Sequence, residues 1–552
     1  MAEGSPAPGS ALTRQTTDLE SADHSVWTPS GLLRWVDELA ESTSGWLQSG
    51  PVCTAFILFF CLLHFVLRSW IFPGGTNDDA EQYLYSQSLS LGYQYGNPPL
   101  FTWLVLLVQW AFGQAFAAPQ LVRALLLTLF FLGTYLAARE VTADRRYALA
   151  ATMAPFAIYY VAFDAMRTYS HSVGLMAACM LTLALFLRLK RSDRLWLYLA
   201  LGLALGLGLL SKYNFALFAT GLLLASSLDS DLRARILDKR MLISLALALA
   251  IAGPNLAWLA AHASETSATL VTKLTRHEPL GAIAARLKGL LSLSKSLIEI
   301  LSPLLFLLPL CFPRSVLPRQ VDAVPDSENN QARAGQQFLG RFLTLVALLF
   351  VALILVGGFS HISNHYLLIF LPAPIWFFAR ASRIEIDSRG LHRFFALAMA
   401  LALAATLAIV IKFLTDPLAE GRRPYNNVPY AALAEGLKEA GFVEGSVYAF
   451  DGLYSMGGHL RRYLPDSRFL STRHADYLPP PRAEDGQCLI LWYERQPGSE
   501  PKIPSNQFRE ILGIDREAPY LEGFVERPFA NGWGASFKLS YRLYDKAFQR
   551  CR

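Results

Sequence analysis

Three carboxylates fall within four residues in the run Gly74-Gly75-Thr76-Asn77-Asp78-Asp79-Ala80-Glu81-Gln82, directly after a long apolar block. A carboxylate at a membrane edge is costly unless it is solvated, paired or used. An Asp or Glu in that place is a suitable base for taking a proton from a sugar hydroxyl during a transfer reaction. The same run also suits a plain helix start, with Asn77 or Asp78 as N-cap and the remaining acids complementing the helix dipole. Composition alone leaves both readings open.

Next comes Gly92-Tyr93-Gln94-Tyr95-Gly96-Asn97-Pro98-Pro99-Leu100-Phe101-Thr102-Trp103, where the paired prolines fix a turn. Asn97 and the two tyrosines, Tyr93 and Tyr95, offer hydrogen bonds and a stacking face for a sugar, or belong to an interfacial aromatic belt. Three further polar stretches interrupt apolar blocks: Asp164 to His171, Ser211-Lys212-Tyr213-Asn214, and Ser360-His361-Ile362-Ser363-Asn364-His365-Tyr366. If all converge on one side, the acids near Asp78 meet cationic Arg167 and Lys212 and hydrogen-bonding His171, His361, His365 and Tyr366. Such a set suits an anionic phosphate beside a base. Singly, Lys212 is equally a snorkelling side chain and each histidine a helix-end cap. A phosphate is already a competent leaving group, so no cofactor or nucleotide is required. A divalent metal is optional for the acids and histidines, and none is assigned.

The elements that must hold these groups are membrane helices. Of 552 residues, 53% are hydrophobic and 17% charged, against about 25% charged in ordinary globular chains, and the mean hydropathy is +0.31. A soluble enzyme and a disordered scaffold are excluded. The net charge of +6 reflects where Lys and Arg sit around a bilayer and implies no nucleic-acid partner. Apolar blocks begin near 52–71 and continue through 99–117, 120–138, 147–163, 171–187, 195–210, 213–228, 241–260, 291–313, 342–358, 365–379 and 394–414. With every block crossing, the basic clusters at 139–146 and 188–194 fall outside, against the positive-inside rule. Treating 99–117 as a re-entrant or interfacial helix repairs both. The resulting eleven crossings place nineteen basic residues inside and nine outside, leave 72–118 outside without Lys or Arg, and send the chain beyond about 415 outward.

Residues 1–50 read as a polar cytoplasmic segment with an amphipathic stretch around Leu32, Leu33, Trp35, Val36 and Leu39, and no cleavable signal peptide is visible. Residues 51–415 form the membrane domain. Residues 416–552 change composition abruptly and carry strand-like runs such as Ser446–Phe450 and Cys488–Tyr493, so a small α/β domain is expected there. Its Arg461, Arg462, Arg468, Arg473 and His474 read as a solvated surface or as contacts to acidic glycolipid headgroups. Of six cysteines, Cys53, Cys61, Cys179 and Cys311 lie in apolar stretches, while Cys488 and Cys551 are the pair able to form a disulfide or to remain free.

Three motifs in order, Asp78-Asp79-Ala80-Glu81-Gln82, then Asn97-Pro98-Pro99-Leu100-Phe101-Thr102-Trp103, then Gly206-Leu207-Gly208-Leu209-Leu210-Ser211-Lys212-Tyr213-Asn214-Phe215, resemble bacterial family 39 and 83 glycosyltransferases of the GT-C superfamily. These are polyprenyl-phosphate-sugar-dependent enzymes that include the lipid A aminoarabinose transferase and the lipopolysaccharide galacturonosyltransferases, and the chain looks closer to the latter. The resemblance covers most of the membrane part. It implies that Asp78 is the catalytic carboxylate, with Asp79 in the place of a frequent Glu, and that the Pro-Pro segment belongs to juxtamembrane helices. It matches Lys212 to the lysine of the Ser-Lys-Tyr-Asn motif and suggests that Tyr366 helps hold the lipid phosphate. Two positions depart from it: Asn97 replaces a basic residue before the loop proline, and Thr168 stands where the galacturonosyl group has an acid.

The expectation is thus a polytopic α-helical membrane protein of GT-C fold, with about 11 to 13 spans, periplasmic juxtamembrane helices and a small C-terminal α/β periplasmic domain. It would sit in a bacterial inner membrane and move a sugar, galacturonic acid or another monosaccharide, from a polyprenyl phosphate donor to lipid A or lipopolysaccharide core with inversion. Asp78 would activate the acceptor, Asp79 or Glu81 would position it, and Lys212, Tyr366, His365 and Arg167 would stabilise the phosphate. Asn97, Tyr95, His171 and His361 would touch substrate. The rival from another class is a transporter or flippase of a lipid-linked sugar, which calls for paired repeats and broken helices.

Overall fold

The computed structural model describes residues 48–72, 74–114, 116–142, 144–275, 281–316, 327–384, 388–416, 425–451, 455–482, 486–493, 514, 517–530 and 536–545. The amphipathic stretch read at 32–39 and Cys551 lie outside the described residues.

Apolar length decides the architecture. Among the described residues seven helices are long and apolar enough to cross a membrane: Gly50–Ile71, Ala118–Val141, His171–Leu189, Arg240–Ala261, Arg333–Gly357, Asn364–Ile384 and Arg389–Thr415. An eighth is reached if the bent pair Phe215–Ser227 and Ser230–Ile236 counts as one. Large side chains such as Leu62, Leu242, Leu249 and Leu407 stay exposed along these helices, as a lipid-facing surface requires. The chain is a multi-pass membrane protein. The eleven-crossing scheme also counted blocks that fold as shorter pieces. Residues 145–165 divide into Arg145–Met153, a tight turn Ala154–Ala157 containing Pro155, and a wide turn Tyr160–Ala165. Ala282–Ile300 is separated from Leu304–Cys311 at Pro303, because proline lacks the N–H that would continue the ladder.

The elements around the site are α1 (Gly50–Val66), α2 (Asn77–Tyr85), α3 (Leu100–Phe112), α4 (Ala118–Val141), α5 (His171–Leu189), α6 (Leu195–Ser211), α7 (Phe215–Ser227), α8 (Arg240–Ala261) and α9 (Ala263–Thr275). Helix α3 has 13 residues. At 1.5 Å per residue that is about 20 Å, short of a hydrocarbon core of about 30 Å, which suits a juxtamembrane helix. Helix α5 is buried along most of its length and packs on α4. Gly133 permits that approach, since a Cβ there would stand 2.9 Å from the backbone nitrogen of Leu181.

The C-terminal part begins with α10 (Tyr430–Glu439), followed by β1 (Gly445–Ala449), α11 (Met456–Arg461), β2 (Arg468–Ser471), β3 (Gln487–Tyr493), β4 (Leu521–Pro528) and β5 (Ser536–Tyr544). The sheet order is β2-β1-β3-β5-β4. Strand β1 runs parallel to β2 and β3, and β5 runs antiparallel to β3 and β4. Hydrophobic alternation buries Val447, Leu489 and Leu491 on one face with Leu433, Leu437 and Leu460, and the expected α/β domain is formed. Its core also takes in Leu84 and Tyr85 of α2 and Tyr93 from the segment that follows. Cys488 is disulfide-bonded, while Cys53, Cys61, Cys179 and Cys311 are buried in the membrane part.

Candidate active site

Helix α2 carries the three acids, and its N-cap is Thr76, not Asn77 or Asp78. Asp79, three residues on, accepts from the Thr76 backbone N–H at 2.9 Å and from Thr76 Oγ1 at 3.0 Å, and its own backbone N–H donates to the Thr76 side chain, which completes a capping box. At 3.6 residues per turn the side chains of α2 separate into three faces. Asp79 and Tyr83 point to the membrane helices. Ala80 and Leu84 point to the C-terminal domain. Asp78 and Glu81 share the third face.

The first face is an ion-pair lock. Arg68 Nη2 donates to Asp79 Oδ2 at 2.8 Å, and Arg123 Nη2 donates to Asp79 Oδ1 at 2.6 Å, with all three side chains at most 3% exposed. Each arginine has a second anchor. Arg68 Nη1 reaches Asn426 Oδ1 at 2.7 Å, and Arg123 Nε reaches the Tyr169 carbonyl at 2.8 Å. Burial opposes ionisation of Asp79, but Arg123 and Arg68 outweigh it and hold the carboxyl far below the usual range. Its lone pairs are committed, so Asp79 positions α2.

Asp78 is the opposite case. It is half-buried, and among the described residues no hydrogen bond or ion pair reaches its carboxyl. Burial, together with the neighbouring Glu81 and Asp79 charges, raises its pKa to about 7 against the pull of Arg123 and Lys212. A carboxylate without a fixed donor, titrating near neutrality, has the properties of a general base. Glu81, one turn along the same face, receives a hydrogen bond from Gln94 Nε2 at 2.8 Å and lies 3.5 Å from His171 Nε2. Burial works against its charge, yet the His171 contact, the nearby His474 and the Gln94 bond bring its pKa below the ordinary value.

On the Asp78 side lies Lys212, the cap residue that follows α6. Its Nζ donates to Ser172 Oγ at 2.7 Å and sits over the Tyr366 ring at 5.6 Å, near enough to Asp78 for their charges to act on each other. The Tyr366 carbonyl accepts from Asn214 Nδ2 at 2.8 Å, which ties the second half of the Ser-Lys-Tyr-Asn motif to the 360–366 loop. His365 packs edge-on against Tyr366 with 4.4 Å between ring centres. The acids, Lys212, Tyr366, His365 and His171 are therefore brought together.

The other anticipated residues have partners of their own. Arg167 is engaged by Asp164 at 3.1 Å and stacks over Phe163. His361 contacts Ser363 Oγ at 3.0 Å, and its backbone N–H donates to the Leu274 carbonyl of α9. Tyr95 stacks on Trp258 at 5.5 Å between ring centres. Asn97 bridges to Gln94 through its backbone and closes the turn that presents Tyr95.

Sequence reading did not assign site roles to Arg68, Arg123 or Lys273. Lys273 of α9 comes to the Tyr95-Gly96 turn, where a Cβ on Gly96 would meet its Nζ, and its charge acts on Glu81 and Lys212. A charge inside an apolar helix, as at Arg68, was the signal available. Arg461 is also reassigned: it is buried against α2 and is not a solvated surface residue. Among the described residues no group of three His, Cys, Asp or Glu side chains has an arrangement to hold a metal ion.

Residues 96–258 match the family described as dolichyl-phosphate-mannose-protein mannosyltransferase. The chain is similar to the lipopolysaccharide core galacturonosyltransferase RgtB of Rhizobium johnstonii, 28% identical over 461 residues that cover 83% of this chain and 90% of the relative. It is 30% identical to RgtA of the same organism over 491 residues, covering 87% and 95%. The chain belongs to this glycosyltransferase family. Its fold is that of the structure titled ArnT from Cupriavidus metallidurans bound to undecaprenyl phosphate, with a TM-score of 0.57 at 13% identity over 90% of this chain and 98% of that one. The protein is accordingly a GT-C membrane glycosyltransferase, and the transporter reading is set aside.

Proposed function

We propose that the protein transfers a sugar, galacturonic acid or a related monosaccharide, from a polyprenyl phosphate to lipid A or the core region of lipopolysaccharide, with inversion at the anomeric carbon. The active site, residues 72–118 and the domain from 416 to 552 face the periplasm, with the membrane part spanning 51–415 in the inner membrane. The carrying observation is the contrast on α2: Asp79 is held by two arginines, while Asp78 has a carboxyl free of hydrogen bonds among the described residues and faces Lys212. Asp78 takes the acceptor hydroxyl proton as the acceptor oxygen bonds to the anomeric carbon. The bond from that carbon to the phosphate oxygen breaks, and polyprenyl phosphate leaves with the electron pair. Lys212, with Tyr366, His365 and Arg167, stabilises the departing phosphate. Lys273 adds a second cation beside the same site, which suits a donor bearing both a phosphate and a uronate carboxylate. His171, His361, Asn97 and Tyr95 contact the sugars.

The test is transfer from polyprenyl phosphate sugar to lipid A or core acceptor in proteoliposomes with wild type and Asp78→Asn. Loss of transfer with donor binding retained supports the assignment, and undiminished transfer removes it. Mass spectrometry of lipid A and core oligosaccharide from a deletion strain identifies the sugar and its position.

A further inference from the structure

Helix α11 of the C-terminal domain lies along α2 and grips both of its ends. At the start, Ser455 Oγ donates to Asn77 Oδ1 at 3.0 Å. At the finish, Arg461 Nη1 donates to the Tyr83 carbonyl at 2.9 Å and to Ser86 Oγ at 3.3 Å, and Nη2 donates to the Ser86 carbonyl at 3.1 Å. Carbonyls at a helix C-terminus lack intrahelical donors, and a cation there meets the negative end of the dipole. Between the two ends Gly458 presses on the helix so closely that a Cβ would lie 2.0 Å from the Ala80 carbonyl oxygen. Arg461 is 3% exposed, and these three bonds go to α2 and the residue that follows it.

The contacts fall on the two faces of α2 that do not carry Asp78. Through Arg68, just beyond α1, and Arg123 of α4, Asp79 holds the helix on one side, and α11 holds it on another, so its rotation about its axis is opposed from two directions. One residue of rotation is about 100°, so even a fraction of it would turn Asp78 away from the Lys212 side.

We propose that Arg461 is a positioning residue for sugar transfer: through α11 the C-terminal domain sets the rotation and axial place of α2 and thereby aims the Asp78 carboxyl. The inference rests on the reading of Asp78 as base. It makes the α/β domain a working part of the active site, and the residues concerned bind no substrate themselves.

The experiment compares wild type, Arg461→Ala, Arg461→Lys, Ser455→Ala and Asp78→Asn as full-length protein in proteoliposomes, measuring kcat, donor KM and binding of polyprenyl phosphate. Misplacement of a catalytic group by about 1 Å costs about a hundredfold in rate, so Arg461→Ala is expected to lose about that much kcat with donor KM and lipid phosphate affinity unchanged. Arg461→Lys recovers part of the loss, and Ser455→Ala loses a few-fold. Arg461→Ala with wild-type kcat overturns the proposal. So does a parallel fall in kcat and lipid phosphate binding, which marks a purely structural arginine. Where Arg461→Ala does not fold, Arg461→Lys and Ser455→Ala decide by the same split, and wild-type kinetics in both overturn it. Failure of the base assignment is separate, since it appears as retained transfer in Asp78→Asn.

Discussion

Arg123 Nη2 stands 2.6 Å from Asp79 Oδ1, both side chains nearly inaccessible, while the carboxyl one residue earlier meets no donor among the described residues. The pair predicts opposite behaviour for adjacent acids. Removing one partner of a buried ion pair typically costs about 3–5 kcal/mol because the remaining charge is left uncompensated. Asp79→Ala, which strands Arg68 and Arg123, should lower the thermal unfolding temperature in detergent strongly. Asp78→Asn deletes a group that burial already disfavours as an anion and should leave that temperature equal or higher. Equal losses in the two variants would contradict the division of roles.

The raised pKa of Asp78, about 7 against an ordinary 3.8, predicts two pH dependences with defined signs. As a base it must be ionised, so kcat/KM should climb with pH through an apparent pKa near 7. For stability, the folded state binds more protons than the unfolded one between about 3.8 and about 7, so this group's contribution makes stability fall as pH rises through that window. Asp79 has the reverse sign. Its depressed pKa contributes stability above the unfolded value of 3.8, lost as pH falls through the still lower folded value. Denaturation midpoints of wild type and Asp78→Asn from pH 4 to 8 test this, and the variant should lose the downward slope.

How legible the site was depends on range. Polar residues breaking apolar blocks marked Asp78, Lys212 and Tyr366, because an unpaired polar group in a membrane needs a reason. The side that α2 turns to its surroundings was not readable. It is set by Arg68 and Arg123, whose pairing with Asp79 is tertiary, and by Arg461, which lies 378 positions from Tyr83. Apolar length was legible and its local interruptions were not: Pro155 falls between Arg145–Met153 and Tyr160–Ala165, and Pro303 falls between the 19-residue Ala282–Ile300 and Leu304–Cys311. Strands around Val447 and Cys488 were visible from β-branched and aromatic runs, but the docking of the sheet's core on Leu84 and Tyr85 was not.

Glu81 and His171 give a third prediction. The 3.5 Å approach of His171 Nε2 and the 2.8 Å bond from Gln94 orient the Glu81 carboxylate beside Asp78, and its negative charge helps raise the Asp78 pKa. Glu81→Gln removes that charge and keeps the shape. The acid limb of the kcat/KM profile should move to lower pH, with transfer reduced about tenfold or less, as for a supporting polar contact. An unmoved acid limb would show that the two carboxyls are not coupled.

Lys212 carries the last prediction. Among the described residues its Nζ has one hydrogen bond, to Ser172 Oγ at 2.7 Å, and the face of Tyr366 at 5.6 Å, which leaves donors for an incoming anion. A charge-assisted hydrogen bond contributes about 1.5–3 kcal/mol, so Lys212→Gln should weaken polyprenyl phosphate binding about 10- to 100-fold. Ser172→Ala removes the hydroxyl that holds the ammonium and should cost a few-fold in the same measurement. Tyr366→Phe keeps the ring beneath Lys212 and separates stacking from hydroxyl contact: unchanged affinity assigns Tyr366 to orienting the lysine, and a loss matching Lys212→Gln assigns its hydroxyl to the phosphate. Lipid phosphate affinity unchanged in Lys212→Gln would remove the lysine from the donor site and leave the leaving group without its principal cation.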